Sequence, residues 1–412
     1  MPMTAAGRAE GARRRARALA ERLHGLDQAG EGRHDEAFCR SLLRELKGEG
    51  LLRHIVPAPY GGAAPEVEVS SVAAIREELA RGSGLLDLMF VMQGLGSFPI
   101  ALAGTDEQKR RFLPAVEEGR SVAAFAVTEP DAGSDLSAIR TAAHRTEDGW
   151  LLEGTKTLIS NAPFADLLTV IARTGPEAGR EGLSAFVVDG AAGGIERESI
   201  QTIAPHPLGT LQFRRCLVPA ANLLGREGEG FRIAIATLDR FRATVGAAAV
   251  GFAQRALEEA VRFAKGRVAF GRPIAEFEGI QFKLAEMATR LEAARLLVAR
   301  AAATIDRRSG DSRDPSRSPD GLTDPEPGEA PARPFPLSPL GEDPSREASM
   351  AKLFATEAAQ GIVDEAVQIH GGRGLVCGSI VEGLYREVRA LRIYEGTSEI
   401  QRTLIGRSLV GR

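Results

Sequence analysis

The chain has 412 residues, 43% hydrophobic, 26% charged and 5% aromatic, enough to build the cores of two or three globular domains. Its 52 basic and 55 acidic residues leave a formal charge of -3, so no general electrostatic footprint for nucleic acid or an anionic membrane is present. The cysteines, Cys39, Cys216 and Cys377, show no CxxC pairing, which argues against a disulfide framework or a structural zinc site and fits a reducing, cytoplasmic setting.

Met1 to Leu23 is rich in Ala and Arg, and it lacks the apolar centre of a secretory signal. An amphipathic first helix is expected there. From Ala5 to about Arg120 apolar residues recur at three- and four-residue spacing, as in Glu36 to Glu49 and Val69 to Arg81. Pro57, Pro59, Gly61, Gly62 and Pro65 mark a long loop between those two. No run of about eighteen apolar residues is read. The longest uncharged helical stretch is taken as Ala243 to Gln254, and a soluble chain is expected.

Near Val122 the texture changes to short β-prone runs: Ala123 to Thr128, Trp150 to Ile159, Leu167 to Ala172, Leu183 to Val188 and Thr210 to Val218. After Asn222-Leu-Leu-Gly225 the helical period returns, over Gly230 to Arg267, Gly279 to Arg307 and Arg346 to Ile369, with a last helix from Ser398. The expected domains are therefore 1-121, helical; 122-226, β; and 227-412, a helical bundle. Arg308 to Pro344, dense in Pro, Ser, Asp, Gly and Arg, reads as a disordered insertion between bundle helices.

Four segments could carry chemistry. Phe125-Ala-Val-Thr-Glu-Pro-Asp-Ala-Gly-Ser-Asp135 joins a β-run to a turn rich in hydroxyls and backbone amides, able to donate to a flavin or a phosphate-bearing arm, or else an ordinary Asx turn. Ser160 ends the strand of Gly154-Thr-Lys-Thr-Leu-Ile-Ser-Asn161. Arg267-Val-Ala-Phe270 follows a long helix and offers a guanidinium for a diphosphate and a ring for stacking, or a helix-capping arginine. Gln368-Ile-His-Gly-Gly-Arg-Gly374 terminates a helix with glycines that permit close approach of a cofactor, and His370, without a partner nucleophile, reads as structural. In Arg392-Ile-Tyr-Glu-Gly-Thr-Ser-Glu-Ile-Gln401, Glu395 stands in a loop beside the capping groups Thr397 and Ser398, placed for proton abstraction or simply solvated.

In order, from about Leu43 to Gly406 and interrupted only by the insertion, these elements resemble the acyl-CoA dehydrogenase family. The resemblance implies an α+β, mainly α fold: an N-terminal helical domain, a middle β-barrel domain and a C-terminal four-helix bundle, assembled as a homotetramer or dimer. It implies FAD as cofactor and no metal. Phe125, Val127, Thr128, Gly133, Ser134, Leu158, Ile159 and Ser160 would line the flavin, and Ser134 would also touch the thioester arm. Arg267, Phe270 and Gln368, Ile369, His370, Gly371 and Gly372 would meet the diphosphate and adenosine of a neighbouring subunit's FAD. Thr397, Ser398 and Glu399 would close over the cofactor; Asp239, Arg242 and Gly396 would contact an acyl-CoA substrate.

By the same likeness Glu395 removes the α-proton of the acyl thioester and a hydride leaves the β-carbon for the flavin, giving a trans-2-enoyl-CoA in fatty acid metabolism. An electron-transferring flavoprotein is the expected acceptor. Some members carry the base at the position of Phe241, which cannot serve. Leu158 replaces a frequent tryptophan, Ser160 a threonine and Glu278 a glutamine. Alternatives are an enzyme acting on carrier-tethered acyl groups, an oxygen-using flavoprotein, or a non-catalytic member acting in assembly.

Overall fold

The computed structural model describes residues 4–23, 35–175, 179–311 and 340–411. Helices α1 (Ala5–Arg22), α2 (Glu36–Gly48), α3 (Val69–Gly82), α4 (Gly84–Ala103) and α5 (Asp106–Glu117) form the N-terminal layer. Their starts follow local chemistry: Thr4, Asp35 and Ser83 accept from the amides of Gly7, Phe38 and Leu86, and Thr105 closes a capping box with Gln108. Arginines of α1 pair with Glu68, Glu77 and Glu78 at or before α3, so the basic first helix is fastened to the core rather than free.

One helix corrects the sequence reading. α4 is long and apolar enough to cross a membrane by length and composition, at mean hydropathy 1.6 over a window that is 83% buried inside the molecule. Asp87, Gln93 and Pro99 break up its apolar run, which concealed it in the sequence. Here it is a core helix, flanked by apolar side chains of α2, α5 and the sheet.

The middle layer is one sheet in the order β6-β7-β3-β2-β4-β5-β8, with β1 parallel to β4. The strands are β1 (Ala123–Ala126), β2 (Ala142–Thr146), β3 (Gly149–Ser160), β4 (Leu167–Arg173), β5 (Leu183–Asp189), β6 (Ile195–Ile200), β7 (Leu208–Pro219) and β8 (Leu223–Leu224). All five expected runs are strands. The expected barrel does not close among the described residues: the path ends at β6, which exposes Glu196 and Glu198, and at the two-residue β8. Charged or very short end strands resist further pairing.

The C-terminal layer holds α6 (Gly230–Gly266), α7 (Glu278–Asp311), α8 (Pro344–His370), α9 (Ile380–Leu391) and α10 (Ser398–Leu409), with the small hairpin β9 (Val268–Ala269) and β10 (Arg272–Pro273) between α6 and α7. α9 was not anticipated, since Gly383 interrupts a short amphipathic stretch. The insertion expected from Arg308 begins later, because α7 continues to Asp311; residues 312–339 lie outside the described residues. α3 lies directly on α6, where a Cβ at Gly251 would stand 2.2 Å from the Glu77 carbonyl oxygen. That backbone-to-backbone contact brings Arg76 of α3 under the loop between α9 and α10.

Candidate active site

Glu395 lies in the loop from Arg392 to Thr397, with left-handed backbone at Glu395 (φ 51) and Gly396 (φ 88). A non-glycine residue in this region is uncommon and needs outside support. Two side chains supply it. Gln401 Nε2 donates to the carbonyls of Glu395 and Gly396 at 3.2 and 3.0 Å, and Lys352 Nζ donates to Gly396 O at 2.7 Å. A Cβ on residue 396 would sit 2.5 Å from Gln401 Nε2, so the position calls for glycine. Thr397 caps α10 by accepting from Ile400 N, whereas the Ser398 hydroxyl is buried and donates to Glu357 at 2.6 Å.

The Glu395 Oε2 is buried and has no hydrogen-bond partner among the described residues. Burial pushes the carboxyl above its ordinary range, while Arg76, Lys352 and Arg242 pull it back. Arg76 is buried and bonds Asp87 in a bidentate pair at 2.9 and 2.8 Å, with Thr244 at 3.0 Å. Arg242, 4% exposed, pairs with the half-buried Asp239 at 2.6 Å. Phe241 is enclosed against Phe98, ring edge to face at 5.7 Å, a helix position with no base.

The turn after β1 is held from behind. Fully buried Lys156 donates to Val127 O at 2.9 Å and Glu129 Oε1 at 2.8 Å, and the Glu129 carboxylate also accepts from the amides of Arg140 and Thr141. Thr157 N donates to Thr128 O at 2.9 Å, locking the turn to β3. The hydroxyls of Thr128, Ser134 and Ser160 make no hydrogen bond among the described residues, and Ser134 and Gly133 are exposed. β3 bulges between Lys156 and Ile159, which turns Leu158 outward at φ 56 with 54% exposure. Phe125 is half-buried. Val127, Ile159 and Ile369 pack in apolar cores, so their side chains are not available to a ligand.

Arg267 and Phe270 form a separate cluster. Phe270 and Gly271, at φ 51 and 82, make the two-residue turn between β9 and β10, which holds the Phe270 ring 96% exposed. Arg267 is exposed and makes no ion pair among the described residues. Distant in sequence but packed against the same end of α6, exposed Gln368 on α8 precedes His370, whose ring stacks on Phe263 at 4.3 Å and whose Nδ1 donates to Ala366 O at 2.7 Å. A Cβ at Gly371 or Gly372 would meet nothing within 4 Å, so that backbone is open. Arg267 follows α6 some 25 residues beyond Arg242; at a helical rise of about 1.5 Å per residue the two are ~37 Å apart. One chain thus brings Glu395 and the Arg267 cluster to different places. Glu278 opens α7, exposed at a helix N-terminus that favours a carboxylate. The Glu399 side chain is exposed.

Sequence reasoning gave no role to Arg76, Asp87 and Lys352, which act from other elements, nor to Glu129, Lys156 and Gln401, which lie inside the motifs themselves. Comparison with known proteins follows the same layout. The acyl-CoA dehydrogenase N-terminal, middle and C-terminal domain families match residues 9–120, 124–216, and 228–317 with 338–410. An acyl-CoA dehydrogenase of Bacillus subtilis is 39% identical over 91% of this chain and 91% of its own length. A 3-(aryl)acrylate reductase of Clostridium sporogenes is 37% identical over 90% of this chain and 91% of its own. The butyryl-CoA dehydrogenase structure from Megasphaera elsdenii superposes with a TM-score of 0.86 at 31% identity, covering 100% of both chains. With all three domains matched in order, the chain belongs to the acyl-CoA dehydrogenase family of oxidoreductases.

Proposed function

We propose that the protein is an FAD-dependent dehydrogenase of an acyl-CoA thioester, with Glu395 as the base that takes the α-proton. The observation that carries this reading is the Glu395 carboxyl itself: Oε2 is buried without a partner among the described residues, on a loop held in left-handed backbone by Gln401 and Lys352. A carboxylate short of partners and raised by burial is a stronger base than a solvated one.

The residues present fit FAD. Thr128, Ser134 and Ser160 offer free hydroxyls, and Leu158 turns an apolar face outward beside them. Arg267, Phe270 and the open Gly371-Gly372 backbone offer a cation, a bare ring and close approach for a diphosphate and adenosine. Their separation from Glu395 assigns them to the FAD of a second copy, so a homodimer or homotetramer is part of the proposal. When bound, FAD supplies the acceptor for the β-hydride. This chain supplies Glu395 for the α-proton, and the product is a trans-2-enoyl-CoA. Asp239 and Arg242 orient the substrate side, and an electron-transferring flavoprotein is the proposed acceptor.

The experiment is anaerobic absorbance of the purified holoprotein mixed with short, long, branched and cyclic acyl-CoAs, alongside Glu395→Gln. Bleaching by one acyl class that is absent in the variant supports the proposal and identifies the substrate. Undiminished bleaching in Glu395→Gln removes Glu395 from the role of base; a yellow protein bleached by no acyl-CoA favours a carrier-tethered substrate.

A further inference from the structure

Three cations act on the Glu395 carboxyl, and they are not equivalent. Arg76 is matched by Asp87 and Arg242 by Asp239. Lys352 is 0% exposed and makes no ion pair among the described residues; its ammonium donates only to Gly396 O, at 2.7 Å. A buried, unpaired ammonium opposes folding, so a fold that retains one at this point has another reason for it. The peptide it grips is the one after the base, in the stretch where both Glu395 and Gly396 take positive φ.

We propose that Lys352 is a positioning residue for Glu395: it fixes the left-handed loop through Gly396 O and supplies the one unmatched positive charge that the buried carboxylate faces. This rests on Glu395 being the base. Gln401 grips the same loop through the same carbonyl but carries no charge, so the structure provides a neutral counterpart. The charges that face this region come from every packed element: Arg76 on α3, Asp87 on α4, Asp239 and Arg242 on α6, Glu357 on α8, Glu387 on α9 and Glu399 on α10. Burial brings the Lys352 ammonium down to about 8 against the opposing pull of the Glu395 carboxylate, which fits two charges that favour one another.

The test measures the rate of anaerobic flavin bleaching by the best acyl-CoA against pH, using holoenzyme of wild type, Lys352→Met, Lys352→Gln and Gln401→Leu. Loss of the Lys352 charge favours the protonated base, so both Lys352 variants should displace the acid limb upward by about one pH unit, with bleaching at pH values below the wild-type limb reduced roughly ten-fold. Part of that loss should return at high pH. Gln401→Leu should slow bleaching across the profile and leave the acid limb in place. An unmoved acid limb in a Lys352 variant that retains FAD overturns the proposal, as does an equal displacement in Gln401→Leu. If neither Lys352 variant folds and holds FAD, Lys352 serves the core and the positioning role is rejected. Failure of the wild type to bleach with any acyl-CoA is a different result, which removes the base assignment itself.

Discussion

Lys156 Nζ lies 2.8 Å from Glu129 Oε1 with the ammonium fully enclosed, and this pair fastens the turn after β1 to the strand that carries Leu158 and Ser160. Removing one partner of such a pair strands the other charge and costs about 3–5 kcal/mol. Lys156→Met should therefore lower thermal stability strongly and also release flavin, because Thr128 adjoins Glu129. Replacing both, Glu129→Gln with Lys156→Met, should recover part of the stability. The check is Tm and FAD content after gel filtration; a single variant with unchanged Tm would show that the pair contributes nothing.

His54 gives a pH dependence unrelated to catalysis. Its ring is buried, 3.3 Å from the Arg15 guanidinium, and burial together with that cation holds it down at about 4. The unfolded chain binds the proton at its ordinary value near 6.5, so between about pH 6.5 and 4 the unfolded state holds more protons and stability falls with the pH. Over the full window the loss is about 3 kcal/mol. His54→Gln, which cannot take up a proton there, should flatten the acid side of the stability curve. Denaturant melts at pH 7, 5.5 and 4.5 that fall in parallel for both proteins would refute the assignment.

Glu395 carries the opposite kind of tension. Its carboxyl is held above its ordinary value by burial, so the folded state is penalised for the ionised form once the pH exceeds the value in the unfolded chain. Glu395→Gln removes that penalty. Although inactive, the variant should melt higher at pH 7.5, by about 1 °C for each kcal/mol regained. The gap should close near pH 4, where the wild-type carboxyl is protonated in both states. Equal Tm values at pH 7.5 would mean that Arg76, Lys352 and Arg242 already offset the burial in full.

The Glu395 loop was legible because its chemistry is written in consecutive residues: the carboxylate, the glycine that allows the turn and the threonine cap. Its supports were not, since Arg76 and Lys352 come from the distant α3 and α8, and Gln401, six residues on, reaches back to the loop only once α10 has formed. A usable signal existed. The chain has only six lysines, and two of them, Lys352 within an apolar run and Lys156 in a β-prone one, are fully buried beside the motif residues. α4 was hidden for a related reason, because Asp87 breaks its run in sequence but is neutralised by Arg76 in space. The unclosed sheet could not be foreseen, as β6 alternates charged and half-buried residues that give no strong strand signal.

Phe270 separates cofactor binding from folding. It stands at the tip of the β9–β10 turn, 96% exposed and at φ 51, a backbone geometry that a bulky residue enters at a cost. Among the described residues its aromatic partner is Phe277, edge to face at 6.1 Å, and with 96% of it exposed little of the chain's own stability depends on the ring. Asn is preferred at the first position of a two-residue turn followed by glycine. Phe270→Asn should therefore keep or slightly raise the Tm of the FAD-free protein. If the ring stacks on the adenine of a second copy's FAD, its loss removes roughly 1–3 kcal/mol of base–aromatic stacking, about ten-fold or more in Kd. Titration of FAD-free protein by flavin fluorescence, with size-exclusion chromatography in parallel, reads both effects. A lower Tm with unchanged FAD affinity would make Phe270 a folding residue of the hairpin and remove it from the cofactor site.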